Sequence, residues 1–284
     1  MKKLIINADD FGLHTAVNQA IVQGHRQGCI SSTSLMASGK AVEDAAALAE
    51  KIPALGIGVH LTLVAEKPVL SPDKIPTLVD ENGYFFANHM VFIKKYLAGQ
   101  ISLQEVRAEC EAQILRVCAL GIVPSHIDSH QHLHVLPRVI DLCLSLAQQY
   151  DISKVRIPAE PYFFSGGYPA GNGRMLAKCG LTFLAERARS KARQKNFLFP
   201  NHFFGMVAGG HMSQRYLLPV LQHQPLGCSE IMVHPGLSPE ILATEYDWKY
   251  QWQEEFDALT SPTTMQWIKD HHVKLISFKE LMHE

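Results

Sequence analysis

The sequence predicts an α/β fold, a deformed (β/α) TIM-like barrel of seven or eight parallel strands in one domain spanning residues 1–284, on three observations. Short apolar, β-branched runs alternate with helical patterns along the whole chain, as parallel strands joined by helices require. Seven or eight such units fit into 284 residues, a length at which α/β barrels stay undivided. The unusual polar residues fall at the C-terminal ends of the runs, where a parallel barrel gathers its chemistry on one face.

In chain order, Lys3 to Ala8 reads as a buried strand. Ala16 to Gln27 follows as a helix, with Val17, Ala20, Ile21 and Gly24 at helical spacing and Gly28 as its stop. Further strands are expected at 29–36, 57–63, 122–128, 154–158, 203–207, 230–234 and 273–277. Helices are expected at 42–51, 103–120, 137–149, 174–193, 213–223 and 250–259. Two connections, 64–88 and 159–173, exceed ordinary loop length, and long loops in a compact domain are more often functional than accidental.

Composition narrows the functional classes. An apolar fraction of 47% with 19% charged residues is that of a globular chain. Lys and Arg number 26 against 27 Asp and Glu, so no basic field is available for nucleic acid. No apolar run reaches the length of a membrane span or forms a secretory leader, and the six scattered cysteines, without a CxxC pair, read as reduced core thiols. A cytoplasmic protein is expected, and a homodimer is compatible with the chain.

Fifteen histidines are the compositional oddity, and four of them fall within 126–134. In NADDFG, one of Asp9 and Asp10 could cap the next helix while the other faces solvent. Two adjacent carboxylates ending a buried strand also repel unless a cation or a shared proton relieves them. His60, in the apolar run IGVHLTL, would alone be an interior histidine. SHIDSHQHLH sets His126, Asp128, His130, His132 and His134 at strict alternation, so an extended backbone projects all five to one side. That exceeds the three or so ligands of one divalent site, and Asp128 suits an orienting role behind a ligand imidazole. His234, in IMVHPG, sits at a strand end before a turn, either bonded to backbone or facing the site. Arg156, in VRIP, is a charge on a buried strand and demands a carboxylate. His14, His25, His89, His223, His271, His272 and His283 read as surface or helix residues. Tyr162, Phe163, Phe164, Tyr168, Phe203 and Phe204 are aromatics that either pack the barrel rim or meet a substrate.

With NADDFG, GVHLTL, SHIDSHQHLH and MVHPG in that order, the chain resembles the YdjC-like carbohydrate deacetylases over nearly its whole length. The stretch from Gly58 to Phe85 is more similar to the hopanoid-associated branch. The resemblance implies a deformed barrel that removes N-acetyl groups from amino sugars, chitooligosaccharides or N-acetylglucosaminyl lipids, with one divalent ion, zinc or magnesium. It implies Asp10, His60 and His130 as ligands, Asp9 as general base and His234 as general acid or oxyanion stabiliser. His132, Asp128 and Arg156 are left as supporting or substrate residues. Amide hydrolysis needs an acidified water, a free carboxylate and a proton donor, and each has a residue here. The competing expectation is a metal-dependent phosphoesterase or amidohydrolase barrel with a polynuclear site, since the HLH at His132 to His134 mimics paired-imidazole motifs.

Overall fold

The computed structural model describes residues 1–282, so His283 lies outside the described residues. The chain runs β1 (Lys2–Phe11), α1 (Thr15–Gln27), β2 (Ser32–Leu35), α2 (Val42–Ala49), β3 (Gly56–Leu61), α3 (His89–Leu97), α4 (Leu103–Ala119) and β4 (Ile127–Ser129). It continues through α5 (Val139–Gln149), α6 (Asn172–Gln194), β5 (His202–Phe204), α7 (Gln214–His223), β6 (Gly227–Val233), α8 (Pro239–Glu245), α9 (Trp252–Thr260), α10 (Pro262–Asp270) and β7 (Lys274–Leu275).

All the ladders are parallel, in the order β4-β3-β2-β1-β6-β5, with β7 set against β1. β1 holds the centre. It pairs with β6 from Lys2 to Ala8, with β7 at Lys3 and Leu4, and with β2 at Asn7, Ala8 and Phe11. The sheet curls into a nearly closed barrel, because Val155 bridges Ile127 of β4 and Lys154 bridges Leu198, from which the chain runs on into β5.

The alternation of strand and helix expected from the sequence is present, with local corrections. The strand read at 154–158 is reduced to those bridges, stopping before Pro158. The strand read at 122–128 forms only from Ile127, because Pro124 has no N–H to give a ladder. Three helices were not anticipated, α3, α8 and α10. The last two begin at Pro239 and Pro262, each at a position where proline costs a helix nothing.

The helices cover the outside of the sheet. α1 buries Val17, Ala20, Ile21 and Gly24, the stripe its spacing predicts, and each fully buried aliphatic there contributes roughly 1.5–3 kcal/mol. Four cysteines are buried, but Cys118 is exposed and Cys179 half-buried, a correction to their reading as core thiols. Among the described residues no helix is long and apolar enough to cross a membrane.

Candidate active site

Strand alternation builds the site. Successive side chains of a strand point to opposite sides, so every second residue faces the barrel interior. On β1 these are Asn7 and Asp9, on β2 Ser34, on β3 Gly58 and His60, on β4 Asp128 with His126 before it, and on β6 Glu230, with His234 just beyond the strand. Hydrogen bonds join them across the interior. Asn7 Nδ2 donates to Asp9 Oδ1 (2.8 Å) and Ser34 Oγ (2.9 Å), and Ser34 Oγ donates to Asp128 Oδ2 (2.6 Å). Gly58 is where the barrel needs no side chain, since a Cβ there would come within 2.4 Å of the His126 ring.

Asp10 breaks the alternation, because a regular strand would turn it away from Asp9. Instead the β1–β2 register shifts between Ala8 and Phe11, and Asp10 takes a left-handed backbone, φ +67°. A bulge of this kind re-aims a side chain, and aspartate is among the few residues that tolerate the conformation. Both carboxylates of the pair thereby approach the same imidazole. His60 Nε2 lies 3.3 Å from Asp10 Oδ1 and 3.9 Å from Asp9 Oδ2.

Asp10, His60 and His130 converge, with one donor atom of each within 4.8 Å of the others. Asp10 Oδ1 is also 3.1 Å from His130 Nδ1. Donors held ~2.0–2.2 Å from one ion at tetrahedral or octahedral angles stand roughly 3.0–3.5 Å apart, so these separations fit a divalent cation. Asp10 Oδ2 is buried and has no hydrogen-bond partner among the described residues. Asp9, His60 and Asp128 form a second candidate set, but Asp9 and Asp128 already spend oxygens on Arg156. The first set is the one with free donor capacity.

Charge tells the same story. Asp9, Asp10, Asp128 and Glu230 are buried around a single guanidinium, Arg156. Burial opposes a charge on His60, yet Asp128, Asp9 and the bond to Asp10 push its imidazole up to about 10. Burial likewise opposes the charge on Asp10, but His130 and His60 hold its carboxyl well below the usual range.

Arg156 finds the carboxylate its sequence position demands, three times over. Nη1 and Nη2 donate to Asp9 at 2.6 and 2.7 Å, Nη1 meets Asp128 Oδ2 at 2.8 Å, and Nε donates to Glu230 Oε1 at 2.7 Å. Asp128 in turn accepts from His60 Nδ1 at 2.7 Å. That bond fixes the tautomer and leaves Nε2 unprotonated and free to ligate whenever His60 is neutral.

The histidine-rich segment does not project one row of side chains. The extended backbone ends at Ser129, and Gln131 and His132 both adopt left-handed φ, at +54° and +58°. The alternation is therefore lost after His130. His126 stacks on Phe278 inside the barrel (3.8 Å between rings), and burial pulls its imidazole down to about 3. His134 bonds Ser129 Oγ (2.6 Å) and the Arg156 carbonyl (3.0 Å), turned away from the site. His132 leans edge-on against Phe203 with Nδ1 unpartnered, and burial holds it well below the usual imidazole range.

Above the triad opens a cleft of about 690 Å³, bordered by Asp9, His60, His130, His132 and His234. His234 follows β6, its N–H bonded to Glu255 at 2.5 Å and its ring 4.8 Å from Tyr250. Burial lowers its pKa, against the charges of Asp10 and Asp9. The aromatics of the cleft are Trp248 and Tyr250, not the 162–168 group. Trp248 lies 5.1 Å from His130, whereas Phe164 packs on Phe204 and His223, Tyr168 on His211 and Tyr216, and Phe163 is exposed. Sequence reasoning missed this pair. The signal was the alternation of Tyr246, Trp248, Tyr250 and Trp252, which places rings at 5.0–5.5 Å from one to the next. It also missed Gln131, whose Oε1 takes the His89 N–H (2.8 Å) and whose side chain borders the cleft with half-buried His89.

The model of the YdjC-like protein family matches residues 3–270. A carbohydrate deacetylase of Brevibacillus brevis is 32% identical over 98% of this chain and 99% of its own. A chitooligosaccharide deacetylase of Serratia marcescens is 32% identical over 99% of both. Among solved structures, one from Enterococcus faecalis, provisionally described as a cellobiose-phosphate cleavage protein, superposes with a TM-score of 0.79 at 28% identity, covering 99% of each chain.

Proposed function

The chain belongs to the YdjC-like family, and from that premise we propose that it is a metal-dependent hydrolase removing the acetyl group from an N-acetylated amino sugar. The observation that carries this reading is the convergence of Asp10, His60 and His130, with Asp10 Oδ2 unpartnered and buried carboxylates outnumbering buried guanidinium. The names of the relatives supply the sugar class, chitooligosaccharide or another N-acetylated saccharide.

Asp10, His60 and His130 would hold one divalent ion, and their oxygen and nitrogen donors suit zinc or magnesium-like ions. Such an ion supplies a positive charge that acidifies water and polarises the acetamide carbonyl. Asp9 then takes a proton from the attacking water as the C–O bond forms. Asp9 is held in place for both proton transfers by its two Arg156 bonds. It hands the proton to the amide nitrogen as the C–N bond breaks, leaving acetate and a free amine. Burial disfavours the protonated His234 ring, and the ring N–H stabilises the oxygen of the tetrahedral intermediate.

The polynuclear alternative gains no support from the fold, since His132 and His134 diverge and the two candidate ligand sets share His60. The test is acetate release from N-acetylated saccharides with metal content counted. One equivalent per chain and loss of activity with chelator are expected. Undiminished release in metal-free protein would overturn the reading.

A further inference from the structure

Among the described residues of the site, two imidazoles, His132 and His234, carry a buried Nδ1 that no hydrogen bond grips. His60 is fixed by Asp128, His130 by Asp10, and His134 by Ser129 and a carbonyl. Among the described residues His234 Nδ1, which is buried, has no hydrogen-bond partner, and Tyr250 is the aromatic its ring touches. Its backbone, by contrast, is tied down. Glu255, in the first turn of α9 and fully buried, accepts from the His234 N–H through Oε2 (2.5 Å) and from the Met212 N–H through Oε1 (2.9 Å). Two further bonds lock the same helix start to the same segments, Gly236 N to the Trp252 carbonyl (3.1 Å) and Gln251 N to the Gly210 carbonyl (2.7 Å).

We infer that Glu255 is the positioning residue of the site: by clamping the backbone of His234 it sets where an imidazole with no side-chain partner points. This rests on the reading of His234 given above. A carboxylate is costly to bury, and it is retained where two buried amides converge with no other acceptor between them. With the ring unanchored, a shift of the backbone passes undiminished to the reacting atoms. A misplacement of about 1 Å can cost roughly 100-fold in rate.

The test is a double-mutant cycle with metal-loaded protein, acetate release being the assay. Glu255→Gln keeps one acceptor oxygen and offers a donor where the second amide needs an acceptor. It should lower kcat by roughly 10- to 100-fold, leave KM within about twofold and leave metal content unchanged. In a His234→Ala background the same change should cost less than about twofold more, since it acts through His234. Equal losses in both backgrounds would make Glu255 merely structural and overturn the inference. Imidazole NMR gives a readout independent of activity. The His234 ring signals, assigned by their loss in His234→Ala, should shift or broaden in Glu255→Gln while those of His126 stay. Unmoved His234 signals would also overturn it. Should Glu255→Gln fail to fold, Glu255→Asp, which keeps the charge but shortens the reach, enters the same measurements. Full activity in His234→Ala would instead sink the role assigned to His234, and the ring signals would then decide the claim about Glu255.

Discussion

Arg156 grips Asp9 through two hydrogen bonds, 2.6 and 2.7 Å long, both partners buried at the centre of the barrel. The pair divides the two neighbouring aspartates by chemistry: Asp9 is committed to a guanidinium, while Asp10 keeps an oxygen without a partner. Removing the arginine would strand three carboxylates away from water, the kind of change that costs ~3–5 kcal/mol.

The division is testable by substituting each aspartate alone. Asp9→Asn should retain metal and lose about two to four orders of magnitude in activity. Asp10→Asn, whose side chain also tolerates the left-handed backbone, should lose metal affinity. Metal titration with parallel rate measurements separates them, and identical behaviour would remove the assignment.

Asp128 acts on the site through His60. Asp128→Asn lets the imidazole take the other tautomer, and metal affinity should weaken by about 10- to 100-fold. Competition against a chromogenic chelator measures it. An unchanged affinity would mean that His60 does not ligate through Nε2.

His234→Ala should lower kcat far more than it raises KM, because a contact made to the tetrahedral oxygen is absent in the ground state. The reverse pattern would place His234 in substrate binding.

Glu230 offers a pH signature. Burial pushes its carboxyl up to about 7, with Arg156 pulling the other way. An acid whose folded-state pKa exceeds its unfolded value holds its proton more tightly when folded. Stability therefore falls as pH rises from about 4.5 to about 7. Glu230→Gln keeps an oxygen for Arg156 and cannot ionise, so urea unfolding of the metal-free variant at about pH 5 and about pH 7 should differ less than in the parent. Equal differences would locate the titration elsewhere.

Gly58→Ala inserts a Cβ where the His126 ring lies, and that ring is backed by Phe278. Overpacking of this kind costs about 1–3 kcal/mol. A melting temperature equal to that of the parent would show that the ring has room to retreat.

How far the site was legible depended on which rule governed each residue. Asp9, His60 and His234 lie at strand ends, and strand period and parallel topology bring such residues together whatever the intervening sequence. The SHIDSHQHLH segment obeyed that period only to Ser129, since two left-handed residues follow and no propensity at Gln131 or His132 announces them. Glu230 could have been read four residues before His234 on one face of an apolar strand. Glu255 could not, because its role depends on a tertiary approach between α9 and the end of β6. Pro239 and Pro262, each in the first turn of its helix, were signals from which the unanticipated α8 and α10 could have been read. Val155 shows a limit of another kind: a buried apolar run can cross the sheet through single bridges and never form a regular strand.

The central place of β1 bears on how the molecule moves. Its amides are bonded into ladders with three other strands, so those from Leu4 to Ala8 should exchange with solvent deuterium only when the whole domain opens. Asp9 and Asp10 therefore follow directly on the slowest-exchanging part of the chain, while Trp248 and Tyr250 ride on the loop between α8 and α9. The two sides of the cleft thus sit at opposite ends of the dynamic range, and heating should loosen Trp248 and Tyr250 well before it disturbs the pair of aspartates.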